Sequence, residues 1–220
     1  MINPLLIVAE TIVSYLLLLI LLKKYKTDGI YVFGIIATIL SCIIGLKKIS
    51  IFEISVPLGL GLTTSIIIGG NIITQKRGPS AISTYIILIL ITFLISCSFI
   101  TLSTVLKESN YNYIANMSYN NIFILNIKYY LGLIISLITS IFLSSKLYYL
   151  LKKTINKIIL CNVFSIIITE FIENILFIVI AYIFEYKIID IILCITFRYI
   201  IKILIGIIGT IPLYIGNKYD

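Results

Sequence analysis

Four residues draw a polar line through one of the most apolar stretches of this 220-residue chain: Asn162, Ser165, Thr169 and Glu173, with Glu170 beside them. Offsets of 3, 4 and 4 stack the four on one face of a helix, while Ile158 to Phe184 otherwise has the character of a lipid-soluble segment. One hydrophobic segment later come Arg198 and Lys202, again four apart. A carboxylate here can accept hydrogen bonds or carry a proton. A charge near the middle of a membrane helix costs about 2.5–3.5 kcal/mol, so two acids and two bases in neighbouring spans have to be satisfied inside a bundle. Such a set marks a functional site by default.

Composition dictates the elements that hold these residues. The chain is 60% hydrophobic and only 12% charged, with a mean hydropathy of +1.17, whereas soluble domains carry roughly a quarter charged residues. The expected fold is all-α, a polytopic integral membrane bundle of about seven transmembrane helices. At about 1.5 Å per residue, crossing the hydrocarbon core takes about 20 apolar residues. The candidate spans run from Leu5 to Leu22, Ile30 to Leu46, Ile54 to Ile73, Ala81 to Leu106, Ile122 to Leu151, Ile158 to Phe184 and Ile188 to Ile215. Residues 1–220 form one transmembrane domain, with too little chain left over for a soluble domain of ordinary size.

The net charge of +8 does not indicate nucleic acid, because the basic residues are scattered through short loops between spans. Topology accounts for them. One set of alternate loops holds Lys23, Lys24, Lys26, Lys76, Arg77, Lys152, Lys153, Lys157 and Lys218, and the other only Lys47, Lys48, Lys107 and Lys187. Nine against four places the first set in the cytoplasm, the N-terminus outside and the C-terminus inside. The expected location is therefore a cell membrane. Cys42, Cys97, Cys161 and Cys194 lie in apolar segments without ligand spacing, and histidine is absent, so no metal, cofactor or disulfide framework is expected. The first span has no preceding charge and ends in Lys23 and Lys24, the pattern of a retained helix and not of a cleaved leader. The polar stretch from Lys107 to Asn121 is either an outer cover for a cavity or a linker; it contains a formal glycosylation triplet, Asn116-Met117-Ser118.

The third span differs from the rest: Pro57, Gly59, Gly61, Gly69 and Gly70 interrupt it, with Thr63, Thr64 and Ser65 between. Such a pattern permits close helix packing or marks a broken helix whose freed backbone faces a cavity. Asn71 and Gln75, four apart, put two amides on one face near its cytoplasmic end. Glu10, near the start of the first span, is expected close to the outer interface.

These residues also resemble a known family. From Gly29 to Tyr214 the chain is similar to the queuosine precursor transporters, also called the VUT family, as a divergent member. Cys161 to Phe177, CNVFSIIITEFIENILF, resembles a family segment R-N-x-x-S-x-x-x-S-Q-x-x-D-T-x-x-F, with Asn162, Ser165, Thr169, Glu170, Glu173 and Phe177 in register. Tyr199, Lys202, Pro212 and Tyr214 resemble the Y-x-x-K and following Pro and Tyr of the last span, and Asn71, Gln75 and Gly78 fall on a D-x-x-x-E-x-x-G turn. Here the turn acids are amides, the Arg before the Asn is Cys161, and the family's Gln and Asp are Glu170 and Glu173. Lys128 stands near a family Arg, and Ser144 near a lost Asp.

The resemblance implies import of 7-deazaguanine bases, namely 7-cyano-7-deazaguanine, 7-aminomethyl-7-deazaguanine or queuine, for queuosine or archaeosine tRNA modification. The partners are then a small nucleobase-like molecule and the lipid bilayer, with no nucleic acid. A carboxylate suits the paired donors of a guanine-like edge, so Glu173 and Glu170 are candidate receptors, with Asn162, Ser165, Thr169, Asn71, Gln75, Lys202 and Arg198 as further candidate substrate contacts. Phe177 and Tyr199 are candidates to stack on the ring. Against these stands a structural role, an ion-pair staple from Glu170 or Glu173 to Arg198 or Lys202. Two other classes remain: a membrane-embedded binding subunit of an energised vitamin or nucleobase uptake complex, and an enzyme using the acids. The enzyme reading lacks an accompanying nucleophile, metal-ligand set or phosphate loop. Proton symport and facilitated diffusion are both compatible with the sequence.

Overall fold

A computed structural model describes residues 2–51, 54–106, 117–120, 123, 127–155, 157–182 and 187–216. Among the described residues, seven α-helices carry the chain: α1 (Ile2–Ile44), α2 (Leu60–Arg77), α3 (Ile82–Val105), α4 (Ile127–Thr154), α5 (Ile158–Tyr182), α6 (Ile188–Ile208) and α7 (Thr210–Gly216). It is an all-α polytopic membrane protein. Among the described residues, five helical stretches are long and apolar enough to cross a bilayer: Pro4–Ile44, Pro79–Val105, Ile127–Thr154, Ile158–Tyr182 and Ile188–Gly216.

The 43-residue α1 is two spans in one. Lys26 leaves helical geometry at φ 53°, ψ −140°. A straight helix would hold residues 10 and 44 about 50 Å apart. Both instead meet Gly59: the Glu10 carboxylate accepts its N–H at 3.3 Å, and a Cβ placed on Gly59 would lie 3.7 Å from Ile44. The arms are therefore antiparallel, as the separate spans 5–22 and 30–46 predict. Gly29 lets the turn close, since a side chain there would strike the Leu21 carbonyl.

The third span departs from expectation. Ile54–Pro57 is a strand paired antiparallel with Lys48–Ile51, in the register Lys48↔Pro57 and Ile51↔Ile54. Helix begins only at Leu60, after Pro57 and a Gly59 at φ 93°, a left-handed turn that a side chain would oppose. The segment is broken at its N-terminal end and packed closely along its helix. Every residue from Leu60 to Thr74 is buried, so α2 is the hub of the bundle. Its Thr, Ser, Gly and Asn content makes lipid contact costly, and the more apolar helices surround it. By contrast α3 buries only Ile82, Tyr85, Ile89 and Phe93, one stripe at helical spacing.

The seventh span divides at Gly209, because Pro212 has no N–H to continue the ladder. Loop ends alternate between two ends of the bundle. Arg77 pairs with Asp28 at 2.8 Å at one end, and the Lys48 ammonium lies 4.3 Å from the Tyr182 ring centroid at the other. The stretch from Lys107 to Asn121 lies mostly outside the described residues, as do Asn116, Phe184 and Lys218.

Candidate functional site

On α5 the predicted polar line faces inward. Asn162, Ser165, Thr169, Glu170, Glu173 and Phe177 are all buried, while Phe164, Ile168 and Phe171 between them are exposed. On α6, Arg198 and Lys202 are the charged members of a short buried set, with 2% and 0% of their surfaces exposed. The 3.6-residue period delivers four charges to one place.

There they neutralise one another. Lys202 Nζ lies 2.8 Å from Glu170 Oε2 and 2.8 Å from Glu173 Oε2, and Arg198 Nη2 donates to Glu173 Oε1 at 3.0 Å. Thr64 on α2 donates to Glu170 Oε1 at 2.8 Å, and Ser136 on α4 lies 3.5 Å from Glu173 Oε1. Two acids and two bases sum to no net charge, so mutual attraction offsets part of the cost of burying them. The Arg198 guanidinium also lies 4.0 Å from the Phe177 ring centroid. Its Nε and Nη1 have no hydrogen-bond partner among the described residues. Arg198 lines a small crevice with Ser41, Gly59, Thr63, Tyr129 and Phe177.

A second, uncharged cluster lies two helical turns along α2, about 10 Å from Thr64. Asn71 Nδ2 donates to Asn162 Oδ1 at 2.9 Å and to Ser165 Oγ at 3.4 Å, and Asn71 Oδ1 accepts from Ser144 on α4 at 3.0 Å. One turn further, Gln75 Oε1 accepts from Tyr148 at 3.0 Å. Thr169, between the clusters, gives its hydroxyl to the Ser165 carbonyl at 2.6 Å. A polar seam thus runs from Glu173 to Gln75 between α2, α4 and α5.

Of the sequence-predicted residues, the structure brings Glu170, Glu173, Arg198, Lys202 and Phe177 into the charged cluster, and Asn71, Asn162 and Ser165 into the uncharged one. Tyr199 is set apart. Its ring packs on the exposed Phe171 at 5.5 Å and its hydroxyl donates to the Ile167 carbonyl at 3.1 Å. It lies one residue from Arg198, about 100° round the helix, which turns it toward the outer face of α5. Lys128 is exposed. Glu10 is no bystander: besides Gly59 it accepts the N–H groups of Gly61 at 3.1 Å and Leu62 at 3.2 Å, closing the start of α2.

Thr64, Ser136, Ser144 and Tyr148 escaped the sequence reading as site residues. The first stood in view within the Thr-Thr-Ser run, and Ser136, Ser140 and Ser144 form a four-residue periodicity on α4, all at 0% exposure.

The family model described as "Putative vitamin uptake transporter" matches residues 57–216. The chain belongs to that family. No curated protein and no solved structure matches it. The matched region starts at Pro57, later than the Gly29 suggested by the motifs, and takes in α2 through α7 with both clusters. As a member of the vitamin uptake transporter family, the chain is a multi-pass membrane protein of a transporter kind. Within the matched region, Asn71 and Ser144 bond each other directly.

Proposed function

We propose that the protein imports a neutral 7-deazaguanine base across a prokaryotic cell membrane for queuosine or archaeosine tRNA modification, with its N-terminus outside and its C-terminus inside. The observation that carries this reading is the fully buried, charge-balanced set of Glu170, Glu173, Arg198 and Lys202, in which Arg198 still has two unspent donors.

A deazaguanine edge presents a ring N–H and an exocyclic amine beside a carbonyl. A carboxylate accepts the first two side by side, and guanidinium N–H groups suit the third. Glu173 has two cationic partners and can release one to a ligand while keeping the other, whereas Glu170 relies on Lys202 and Thr64. Glu173 is therefore the receptor, Arg198 the carbonyl donor and Phe177 the ring face. A neutral ligand leaves the cluster neutral, while a cationic one adds an uncompensated charge in a low-dielectric interior. The nitrile-bearing base is the favoured cargo over the aminomethyl one. Asn162, Ser165, Thr169, Asn71 and Gln75 line the path from there to the cytoplasmic end.

Uptake in cells that lack both synthesis of the base and their own importer, read as modified tRNA, tests the assignment. Restoration by the nitrile base is expected. Failure with all three bases, in cells where the protein is folded in the membrane, overturns it. Co-purification with an ATPase and a coupling protein would instead make the chain the binding subunit of an energised complex.

A further inference from the structure

At the end of the bundle that carries the β-hairpin lies a second cavity of about 250 Å³. Its described walls include Lys48, Ser55 and Pro57 from the hairpin, Tyr182 at the end of α5, and Asp190 and Cys194 at the start of α6. Lys48, Ser55 and Asp190 are exposed, whereas Pro57 and Tyr182 are buried. The polar groups are therefore at the mouth and the apolar groups at the floor.

Pro57 is also a wall of the inner crevice that Arg198 lines. The Tyr182 and Phe177 rings, one in each wall, are 5.8 Å apart, edge to face. Both places offer the same kind of recognition. In the outer one the Lys48 ammonium lies 4.3 Å from the Tyr182 ring centroid and Asp190 lines the wall; in the inner one Arg198 lies 4.0 Å from the Phe177 ring centroid and pairs with Glu173, which is itself not a lining residue of the crevice. A cation over an aromatic face, next to an acid, suits a flat ring bearing both donors and an acceptor. The volume falls below the roughly 300–1,000 Å³ of pockets for drug-sized ligands, which selects a single bicyclic ring over a nucleoside.

We propose that this outer cavity is a loading station, binding the planar heterocyclic substrate before it passes Pro57 to the Arg198 crevice. The station rests on the transport reading above, and its ligand is the base that reading names. Cys194 supplies a native reporter: its thiol donates to the Ser55 carbonyl at 3.5 Å, so an adduct there would wedge the hairpin away from α6.

The test uses the full-length protein in sealed right-side-out vesicles, with Cys97 replaced by Ser so that Cys194 is the one partly exposed thiol among the described residues. A membrane-impermeant methanethiosulfonate added outside should label Cys194 and block uptake. 7-Cyano-7-deazaguanine at about ten times its Kd should slow labelling about tenfold, and guanosine should not slow it. In Cys194→Ser, uptake should no longer respond to the reagent. Labelling that the base does not slow, or full uptake after complete labelling, overturns the station while leaving transport intact. Absence of uptake by the unlabelled protein, together with labelling still slowed by the base, overturns the transport reading instead and leaves the station standing.

Discussion

The Lys202 ammonium on α6 lies 2.8 Å from the Glu170 carboxylate on α5, and both side chains have 0% of their surface exposed. Loss of either leaves the buried four-residue cluster one charge out of balance, which costs several kcal/mol.

Lys202→Met and Glu170→Gln, each alone, should therefore lower stability by about 3 kcal/mol, and the double variant should recover at least half of that loss. Thermal unfolding of the four proteins in detergent reads the cycle. Additive losses in the double variant would mean the two side chains do not act as a pair.

Glu10 serves α2 from another segment of the chain. Glu10→Ala strands the N–H groups of Gly59, Gly61 and Leu62, at about 1–3 kcal/mol for each donor that water fails to reach. Glu10→Gln keeps one acceptor and should lose about half as much stability as Glu10→Ala. Equal melting temperatures for wild type and Glu10→Ala would remove this capping role.

Helix existence and the inward face of α5 were legible because both rest on period. The residues at offsets 3 and 4 from Asn162 to Glu173 face the core as read, and Arg198 and Lys202 follow the same rule. Which charge meets which was not legible, since it depends on the rotation and depth of α6 against α5, and spacing within one helix fixes neither. Tyr199 illustrates this: a single residue step from Arg198 puts it on another face. The strand Ile54–Pro57 was read as part of a span because Ile54, Val56 and Leu58 are apolar; Pro57 and Gly59 held the contrary signal. The serines of α4 were hidden for another reason. In membrane helices serine commonly returns its hydroxyl to its own backbone, so only the partner helix shows that Ser144 turns to Asn71.

Asn71→Asp replaces a donor to Asn162 with a carboxylate, in a buried cluster where Asn162 Nδ2 has no partner among the described residues. A flip of the Asn162 amide can supply the missing donor, so the variant should fold. The added negative charge should shift preference about tenfold toward the cationic aminomethyl base, a difference of about 1.4 kcal/mol. Competition uptake between the two bases measures the ratio, and an unchanged ratio would separate Asn71 from the substrate path.

Arg77 and Asp28 pair at one end of the bundle, and Lys48 and Tyr182 meet at the other. A cysteine at Ser80 should be labelled only from the cytoplasm and one at Lys187 only from outside, following the bias of Lys and Arg among the loops. The reverse pattern would invert the proposed orientation without altering the bundle.

The most direct measurement of the central claim is equilibrium binding of 7-cyano-7-deazaguanine to the purified protein and to Glu173→Gln, with thermal unfolding confirming that both are folded. Loss of a charged acceptor for two donors predicts affinity weaker by about ten- to a hundredfold. An unchanged Kd in a folded Glu173→Gln protein would contradict the account and leave the buried ion pairs as a structural staple alone.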